Sequence, residues 1–270
     1  MGLSSILMLN AAPNSIYISM KVNLLALDSA SAVCGVAALQ SADSNVNLIS
    51  AEHEGSAQHA EHILPLIEQC LGQAQIKQSE LQAVAFAQGP GGFTGLRVAC
   101  GVAQGIAYAV GAPVIPVSSL LAIAAQQEPC DSDVIEVVVV DARMQEIYVG
   151  AYQRTTTDWY SLHKPVLLSQ EALFYYLQQL IAQQQQLNPH TRIRVSGDAL
   201  DAFADLKVHL GELDLVFGNT HRVQVATIAK LALTAYQHQR VIEPALAAPL
   251  YVRNRVAFTI AEREQGLGGN

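Results

Sequence analysis

The sequence is poor in charged residues and contains no run of basic ones. Asp, Glu, Lys and Arg together make up only 14% of the chain, and the formal net charge is −8. Contacts from Lys and Arg to phosphates supply much of the affinity of nucleic-acid-binding proteins. We therefore do not expect this chain to bind RNA or DNA tightly by itself.

Paired cysteines and the common catalytic signatures are also missing. The four cysteines are widely spaced and form no CxxC pair, which argues against a zinc site and favours reduced thiols in a cytoplasmic protein. The chain has no Gly-x-Ser-x-Gly, no P-loop, no dinucleotide fingerprint and no His-Glu-x-x-His. The N-terminal apolar run at residues 6–9 is too short to span a bilayer, so we expect no membrane association.

Both ends of the chain have the composition of segments outside a fold. Residues 1–20 show no periodicity that would attach them to a core, and we expect a disordered extension there, with Met20 the more natural start. Residues 254–270 form a C-terminal tail whose last part is polar and rich in glycine.

The remaining chain contains the same pattern twice. An apolar run at residues 22–27 ends in Asp28, and another at residues 137–140 ends in Asp141; each is followed by a short turn and a second strand. This repetition predicts an internal duplication that gives an α/β fold of two lobes with a cleft between them. We place the first lobe at residues 22–119 and the second at 120–253, with the helix at 223–240 a candidate to pack back on the first.

A glycine-rich loop connects a predicted buried strand at residues 83–87 to a predicted helix at 96–110. The arrangement of strand, glycine loop and helix N-terminus is typical of anion sites, because unpaired N–H groups point towards the loop. Thr94 is the expected N-cap, and Arg97, a cation in the first turn, calls for a phosphate or carboxylate partner. A tight turn without any ligand explains the same residues equally well.

The cleft hypothesis has a definite set of residues. Aspartates at strand ends can hold a hydrated cation or a phosphate-bound metal, although turn formation is the plainer explanation for them. Gly197, after a predicted strand at residues 192–196, is a weaker candidate. The candidate cleft residues are Asp28, Ser29, Gly91, Gly92, Thr94, Asp141 and Gly197.

Two other local patterns bear on function. A group of acidic residues and histidines at residues 52–62 includes His59 and His62, whose spacing matches no zinc-protease motif, so we predict no metal there. The helix after Thr94 carries Ala99 and Ala103 one turn apart, with glycines on an adjoining stripe. Small residues on several faces favour close contact with another helix, within the lobe or in a partner.

Five blocks of this sequence resemble the TsaB family, also called YeaZ. They appear in family order between about residues 22 and 256, and the glycine loop and the Asp-Ala-Arg-Met block are specific. The blocks are Leu24-Leu25-Ala26-Leu27-Asp28-Ser29-Ala30, His59 followed by Ile63-Leu64-Pro65, Gly89-Pro90-Gly91-Gly92-Phe93-Thr94-Gly95-Leu96-Arg97, Asp141-Ala142-Arg143-Met144-Gln145-Glu146-Ile147-Tyr148, and Pro249-Leu250-Tyr251-Val252-Arg253.

The resemblance implies an actin/Hsp70/sugar-kinase-like fold of two duplicated lobes and a role in making threonylcarbamoyladenosine beside the anticodon of tRNAs that read ANN codons. It implies a non-catalytic subunit that pairs with TsaD, the metal-carrying transferase subunit, together with the ATPase TsaE, and that forms a homodimer when alone. It also implies contact with tRNA only through that complex, no tightly bound cofactor, and ATP or ADP with Mg as candidate ligands at the complex interface. The interface candidates are His59, Ile63, Leu64, Arg97, Ala99 and Ala103.

Two other functions compete with this one. An ATP-binding phosphotransferase or ATPase of the same superfamily would use Asp28, Asp141 and the glycine loop. A glycoprotease-like metallopeptidase would use His59 and His62. Titration with ATP and Mg distinguishes the phosphotransferase or ATPase from a partner subunit, and metal analysis of the purified protein tests the metallopeptidase.

Overall fold

The computed structural model describes residues 21–42, 45–55, 58–129, 133–218 and 222–253. The expectations for residues 1–20 and 254–270 lie outside these described residues. Within them, two β-sheets are built from residues 22–118 and 134–217.

The first sheet has five strands with helices on both faces. Strand β2 runs antiparallel to β1 and β3, whereas β1, β4 and β5 are parallel, giving the order β3-β2-β1-β4-β5. The elements are β1 (Val22–Asp28), β2 (Val33–Ala42), β3 (Asn45–Glu54), α1 (His59–Ala74), β4 (Ala83–Gly89), α2 (Phe93–Val110), β5 (Val114–Ser118) and α3 (Ser119–Ala124).

The second sheet repeats this plan. Its order is β11-β10-β6-β7-β8, with β9 also paired to β7, and again one antiparallel hairpin is followed by parallel strands. The elements are β6 (Val134–Asp141), β7 (Glu146–Arg154), β8 (Trp159–Ser161), β9 (Val166–Ser169), α4 (Gln170–Leu187), β10 (Arg192–Ser196), α5 (Ala199–Ala202), α6 (Leu206–Leu210), β11 (Leu215–Phe217) and α7 (Val225–Gln237).

The hydrophobic core is divided among three layers. Helices α1 and α2 cover one face of the first sheet, where Leu25, Ile63 and Phe86 are buried. Helix α7 packs on its other face, so close that a Cβ on Gly35 would stand 3.0 Å from Val225. Helices α4, α5 and α6 cover the outer face of the second sheet. Helix α3 contacts β6 and β7 of the second sheet, so each sheet has helices packed on two faces, as parallel strands require.

The duplication predicted from the sequence is confirmed by this topology. Asp28 ends β1 and Asp141 ends β6, the corresponding central strands. Gly89 and Gly197, which end or follow the corresponding strands β4 and β10, both have positive φ, +112° and +121°. Glycine adopts such φ values without the steric cost that a Cβ imposes.

Several helix boundaries predicted from the sequence are wrong. The sequence predicts a helix at residues 170–184 followed by a solvated glutamine linker, but the glutamines at residues 183–186 continue α4 to Leu187, in keeping with the good helix propensity of Gln. Helix α2 begins at Phe93 rather than residue 96, and its N-cap is Gly92, so Thr94 lies inside the first turn and is not the cap.

Helix α2 also has the length and apolar composition that would suffice to cross a bilayer. A core helix of a folded domain meets the same two criteria. Seven of its residues, including Leu96, Ala99 and Ile106, are buried in the protein. The apolar character of α2 is therefore explained by packing against the first sheet.

Candidate functional site

A cleft of about 360 Å³ lies between the two lobes. It is bordered by the turn after β1, the glycine loop, the start of α3, the turn after β6 and the residue following Gly197. The lining residues are Ala30, Ser31, Ala32, Pro90, Gly91, Gly92, Ser119, Ile123, Val140, Asp141, Ala142, Arg143, Tyr148, Asp198, Arg222 and Val223.

The two aspartate-bearing turns beside this cleft share one hydrogen bond. The Asp28 carboxylate accepts the Ala30 N–H at 2.8 Å, and the Asp141 carboxylate accepts the Arg143 N–H at 2.8 Å. Each aspartate thus closes an Asx-turn with the residue two positions later. Turn formation is therefore one role that both aspartates share.

Asp28 does not line the cleft. It is only 3% exposed beneath the turn that does, next to Ser29, which is fully buried. Burial, opposed by the Ala30 hydrogen bond and reinforced by the Glu52 carboxylate, raises the pKa of Asp28 from 3.8 to about 7. Burial and the nearby Asp28 charge raise the pKa of the Cys34 thiol to about 11. Asp28 is thus a desolvated carboxyl beneath the site, and its thiol neighbour is unreactive.

Asp141, in contrast, belongs to a polar group on the cleft wall. Its N–H donates to the Asp198 carboxylate at 2.9 Å, and its own carboxylate pairs with the Arg143 guanidinium at 3.1 Å. Burial, opposed by the Asp141 N–H, raises the pKa of Asp198 above its usual value, and the neighbouring Asp141 charge adds to this. The two carboxylates and one guanidinium leave this wall without a strong excess of positive charge.

The glycine loop packs against the first aspartate turn. A Cβ on Gly95 would stand 1.6 Å from the Ser29 carbonyl oxygen, and one on Gly91 would stand 2.6 Å from that of Ala30. The Gly92 N–H donates to the Ala30 carbonyl at 2.7 Å. Close approach of two backbone segments therefore requires glycine here, whether or not a ligand binds.

The remaining cleft candidates lie at its edge or behind it. Thr94 is exposed on the first turn of α2 and does not line the cleft. Gly197 lies behind the wall, where a Cβ would approach the Val139 carbonyl to 2.0 Å. Within the chain, the contacts of Arg97 are aromatic: its Nε donates to the Tyr251 hydroxyl at 3.0 Å, and its guanidinium stacks 3.7 Å from the Phe93 ring centroid. The phosphate or carboxylate partner stays a prediction.

The histidines of the acidic cluster do not converge. His53 and His62 stack with their ring centroids 3.6 Å apart, whereas His59 is buried with its Nδ1 3.0 Å from the Ser29 carbonyl oxygen. Among residues 21–253, excluding the four undescribed gaps, no group of three or more His, Cys, Asp or Glu is arranged to hold a metal ion.

The predicted interface residues divide into buried and exposed ones. Ala99 and Ala103 are fully buried in the first-lobe core, and Ile63 and His59 are 1% and 5% exposed. The expectation that these four face a partner is wrong, because α1 and α2 turn them towards the first sheet. Leu64, at 57% exposure, and the exposed Arg97 do face outwards.

The exposed side of α2 carries the glycines rather than the alanines. Arg97, Gly101, Gly105 and Tyr108 follow helical spacing and are all exposed, Tyr108 to 81%. An added Cβ at either glycine would meet nothing within 4 Å. We call Leu64 of α1 together with these four residues of α2 the helix-pair face.

Sequence reasoning missed several cleft residues. Asp198, Tyr148 and Arg222 come from three different segments. Asp198 had a signal as the neighbour of Gly197, Tyr148 ends the Asp-Ala-Arg-Met block, and Arg222 had none. Arg143 belongs to the Asp-Ala-Arg-Met block, but the sequence predicted no separate role for it.

The two topologically equivalent sheets and the cleft between them define an α/β protein of two duplicated lobes, and the predicted fold class is confirmed. YeaZ from Pseudomonas aeruginosa superposes with a TM-score of 0.66 at 25% identity, covering 85% of this chain and 99% of that one. A further P. aeruginosa structure, an uncharacterized protein with similarity to peptidase YeaZ, gives a TM-score of 0.67 at 24% identity, over 86% of this chain and 100% of that one.

Sequence comparison agrees. The model of the family described as TsaD, tRNA N6-adenosine threonylcarbamoyltransferase, matches residues 51–262. The tRNA threonylcarbamoyladenosine biosynthesis protein TsaB of Haemophilus influenzae is 28% identical over 88% of this chain and 96% of its own. TsaB of Escherichia coli is 27% identical over 88% of this chain and 97% of its own. The chain belongs to this tRNA threonylcarbamoyladenosine family, in its TsaB (YeaZ) branch.

Proposed function

We propose that this chain is the non-catalytic partner subunit of a TsaD-containing complex. That complex transfers a threonylcarbamoyl group to the adenosine beside the anticodon of tRNAs that decode ANN codons. Membership of the TsaB branch connects the chain with threonylcarbamoyladenosine formation. The observation that carries the partner role is the helix-pair face, where small and large apolar residues and Arg97 are exposed on two helices that contact each other.

This face has the composition of a helix-docking surface. Leu64 and Tyr108 offer large apolar side chains, while Gly101 and Gly105 leave a shallow groove in which another helix backbone can approach closely. The helices themselves are held rigidly, since their other sides are buried in the first-lobe core. A partner therefore meets a preformed surface.

The chemistry of the cleft favours a partner over an enzyme. The Asp28 carboxylate is buried, the Gly92 N–H is already bonded to Ala30, and the glycines have a packing role. We accordingly propose no tightly bound cofactor, and we assign ATP or ADP with Mg, if required, to the complex interface. Titration of the isolated chain with ATP and Mg tests this: micromolar binding within the cleft would favour the phosphotransferase alternative.

The assembly proposed here is the heterodimer with TsaD, joined by TsaE, in the cytoplasm. Without TsaD, two copies of the chain pair through the same helix-pair face, so added TsaD dissolves the homodimer. A sizing experiment in which two copies stay joined through this face after TsaD is added would contradict the shared surface.

Pairing with TsaD is tested by Gly105→Arg. The glycine is exposed and has free space around its Cβ position, so a long side chain enters solvent in the free subunit and obstructs a docked helix. Leu187→Arg, at a 74% exposed position of the second lobe, is the matched control. We expect Gly105→Arg to abolish co-elution with TsaD and the control to leave it unchanged; co-elution of both would contradict the assigned surface.

The proposal also predicts weak binding of tRNA by the free chain. The net charge of −8 and the lack of a basic run give phosphates little to bind. A gel-shift experiment at moderate salt should show no tight complex with tRNA unless TsaD is present.

A further inference from the structure

The C-terminal segment crosses from the first lobe to the second. We call residues 247–253 the strap. The Leu250 N–H donates to the Gln88 carbonyl at 2.7 Å, just before the glycine loop. The Tyr251 hydroxyl then accepts from Arg97 at the start of α2. The side-chain amides of Gln104 and Gln88 also donate to the carbonyls of Ala247 and Ala248, so the strap is attached to the first lobe along its length before it reaches Arg253.

The side-chain hydrogen bonds that the structure describes for Arg253 go to the second lobe, at the turn after β6. Its guanidinium donates to the carbonyls of Ala142 and Arg143, both at 3.2 Å, and to the Met144 sulfur at 2.7 Å. It also forms an ion pair with Glu146. The Arg253 side chain is 13% exposed and that of Glu146 is 40% exposed, so the guanidinium is largely shielded from water while the carboxylate stays accessible. Such hydrogen-bonded, partly buried pairs are stronger than surface ones.

The turn that Arg253 holds has an unfavourable backbone. Arg143, Met144 and Gln145 have φ values of +64°, +56° and +61°, so three successive non-glycine residues are left-handed. Each costs conformational free energy, because the Cβ of an L-residue is crowded in this region. Such a turn persists only when surrounding contacts compensate. Two of the carbonyls at its start are the ones that Arg253 binds.

We propose that Arg253 is a positioning residue for the cleft. Its guanidinium keeps the turn at residues 142–146 left-handed and ties the second lobe to the strap, which fixes the cleft wall formed by Asp141 and Arg143 relative to the glycine loop. This assignment concerns the cleft of the free subunit and does not depend on the proposed pairing with TsaD. It gives one physical role to two separate sequence blocks, the Asp-Ala-Arg-Met block and the C-terminal Tyr-Val-Arg.

Hydrogen exchange of the full chain tests the hold on the turn. In Arg253→Gln, amides of residues 142–146 should exchange roughly tenfold faster, equivalent to about 1.4 kcal/mol of opening free energy, while β1 and β4 keep their protection. Arg253→Lys keeps the charge but not the guanidinium fork and should give an intermediate rate. The control, Arg222→Gln, loses an exposed pair with Glu52 and should leave this turn unchanged. Unchanged exchange in Arg253→Gln would overturn the proposal.

A double-variant cycle separates turn strain from general destabilisation. Glycine at position 145 adopts positive φ freely, so Gln145→Gly should reduce the loss in Tm caused by Arg253→Gln by about 2–4 °C. Gln75→Gly is the matched control, because Gln75 is also left-handed, at φ +56°, but caps α1. The loss in Tm caused by Arg253→Gln should be the same with or without Gln75→Gly. Equal losses in the Gln145→Gly and parent backgrounds would contradict the proposal; if Arg253→Gln does not fold, Arg253→Lys takes its place in the cycle.

Discussion

Replacing Asp28 with Asn should stabilise the protein at neutral and alkaline pH. The carboxyl ionises at 3.8 in the unfolded chain but only at about 7 in the fold, because it is buried without a cationic partner among the contacts described. A rise of this size corresponds to about 4 kcal/mol of stability lost on ionisation. The amide of Asn keeps the acceptor for the Ala30 N–H and carries no charge.

The sign of the pH dependence follows from these values. The contribution of Asp28 is fully present below about pH 4, where the carboxyl is protonated in both states. It is lost as the pH rises towards 7, because the unfolded chain releases the proton first, and it stays constant above. Urea unfolding should therefore show Asp28→Asn more stable than the parent by about 1–3 kcal/mol at pH 8, after the cost of its unpaired amide group, and by much less at pH 5.

Asp141→Asn is the matched control, since it changes the equivalent Asx-turn in the other lobe. Its carboxylate has a cationic partner in Arg143, so the substitution should lower stability by no more than about 1 kcal/mol at pH 8. If Asp28→Asn instead destabilises the protein equally at both pH values, Asp28 is not a desolvated carboxyl, and the account of the turn is wrong.

Three other changes test packing and ion pairing in the two lobes. Gly95→Ala should cost more than about 3 kcal/mol in thermal or urea unfolding, because its Cβ would overlap the Ser29 carbonyl, whereas Gly101→Ala in the same helix should stabilise by up to about 1 kcal/mol. If both substitutions behave alike, the backbone contact does not dictate the glycine. Arg194→Met should cost about 3–5 kcal/mol, because it leaves the Glu136 carboxylate buried without its charge partner; a loss below 1 kcal/mol would refute that pairing.

Repetition of local pattern is what made the fold predictable. Two strands that end in aspartate and are followed by a turn and a second strand identified the duplication before any long-range contact was known. Gly89 and Gly197 also occupy equivalent positions in the two lobes and both have positive φ, but the sequences around them are less alike.

Which side of a helix is buried, and how deeply a side chain lies, could not be predicted from the sequence, because both depend on tertiary packing. Ala99 and Gly101 are both small, so helical periodicity alone does not say which stripe meets the first sheet; packing buries the alanines and exposes the glycines. Asp28 and Asp141 make the same hydrogen bond to the residue two positions later, and only tertiary packing decides that the first is desolvated and the second lines the cleft. Contacts such as that of Arg253 with residues 142–146 carry no local signal at all.

Reconstituted transfer of threonylcarbamoyl to tRNA tests the central claim most directly. Transfer should require TsaD and this chain together, and Gly105→Arg should abolish it while Leu187→Arg supports it at the parent rate. Transfer by this chain without TsaD, or full activity of TsaD in its absence, would contradict the role of a non-catalytic partner subunit.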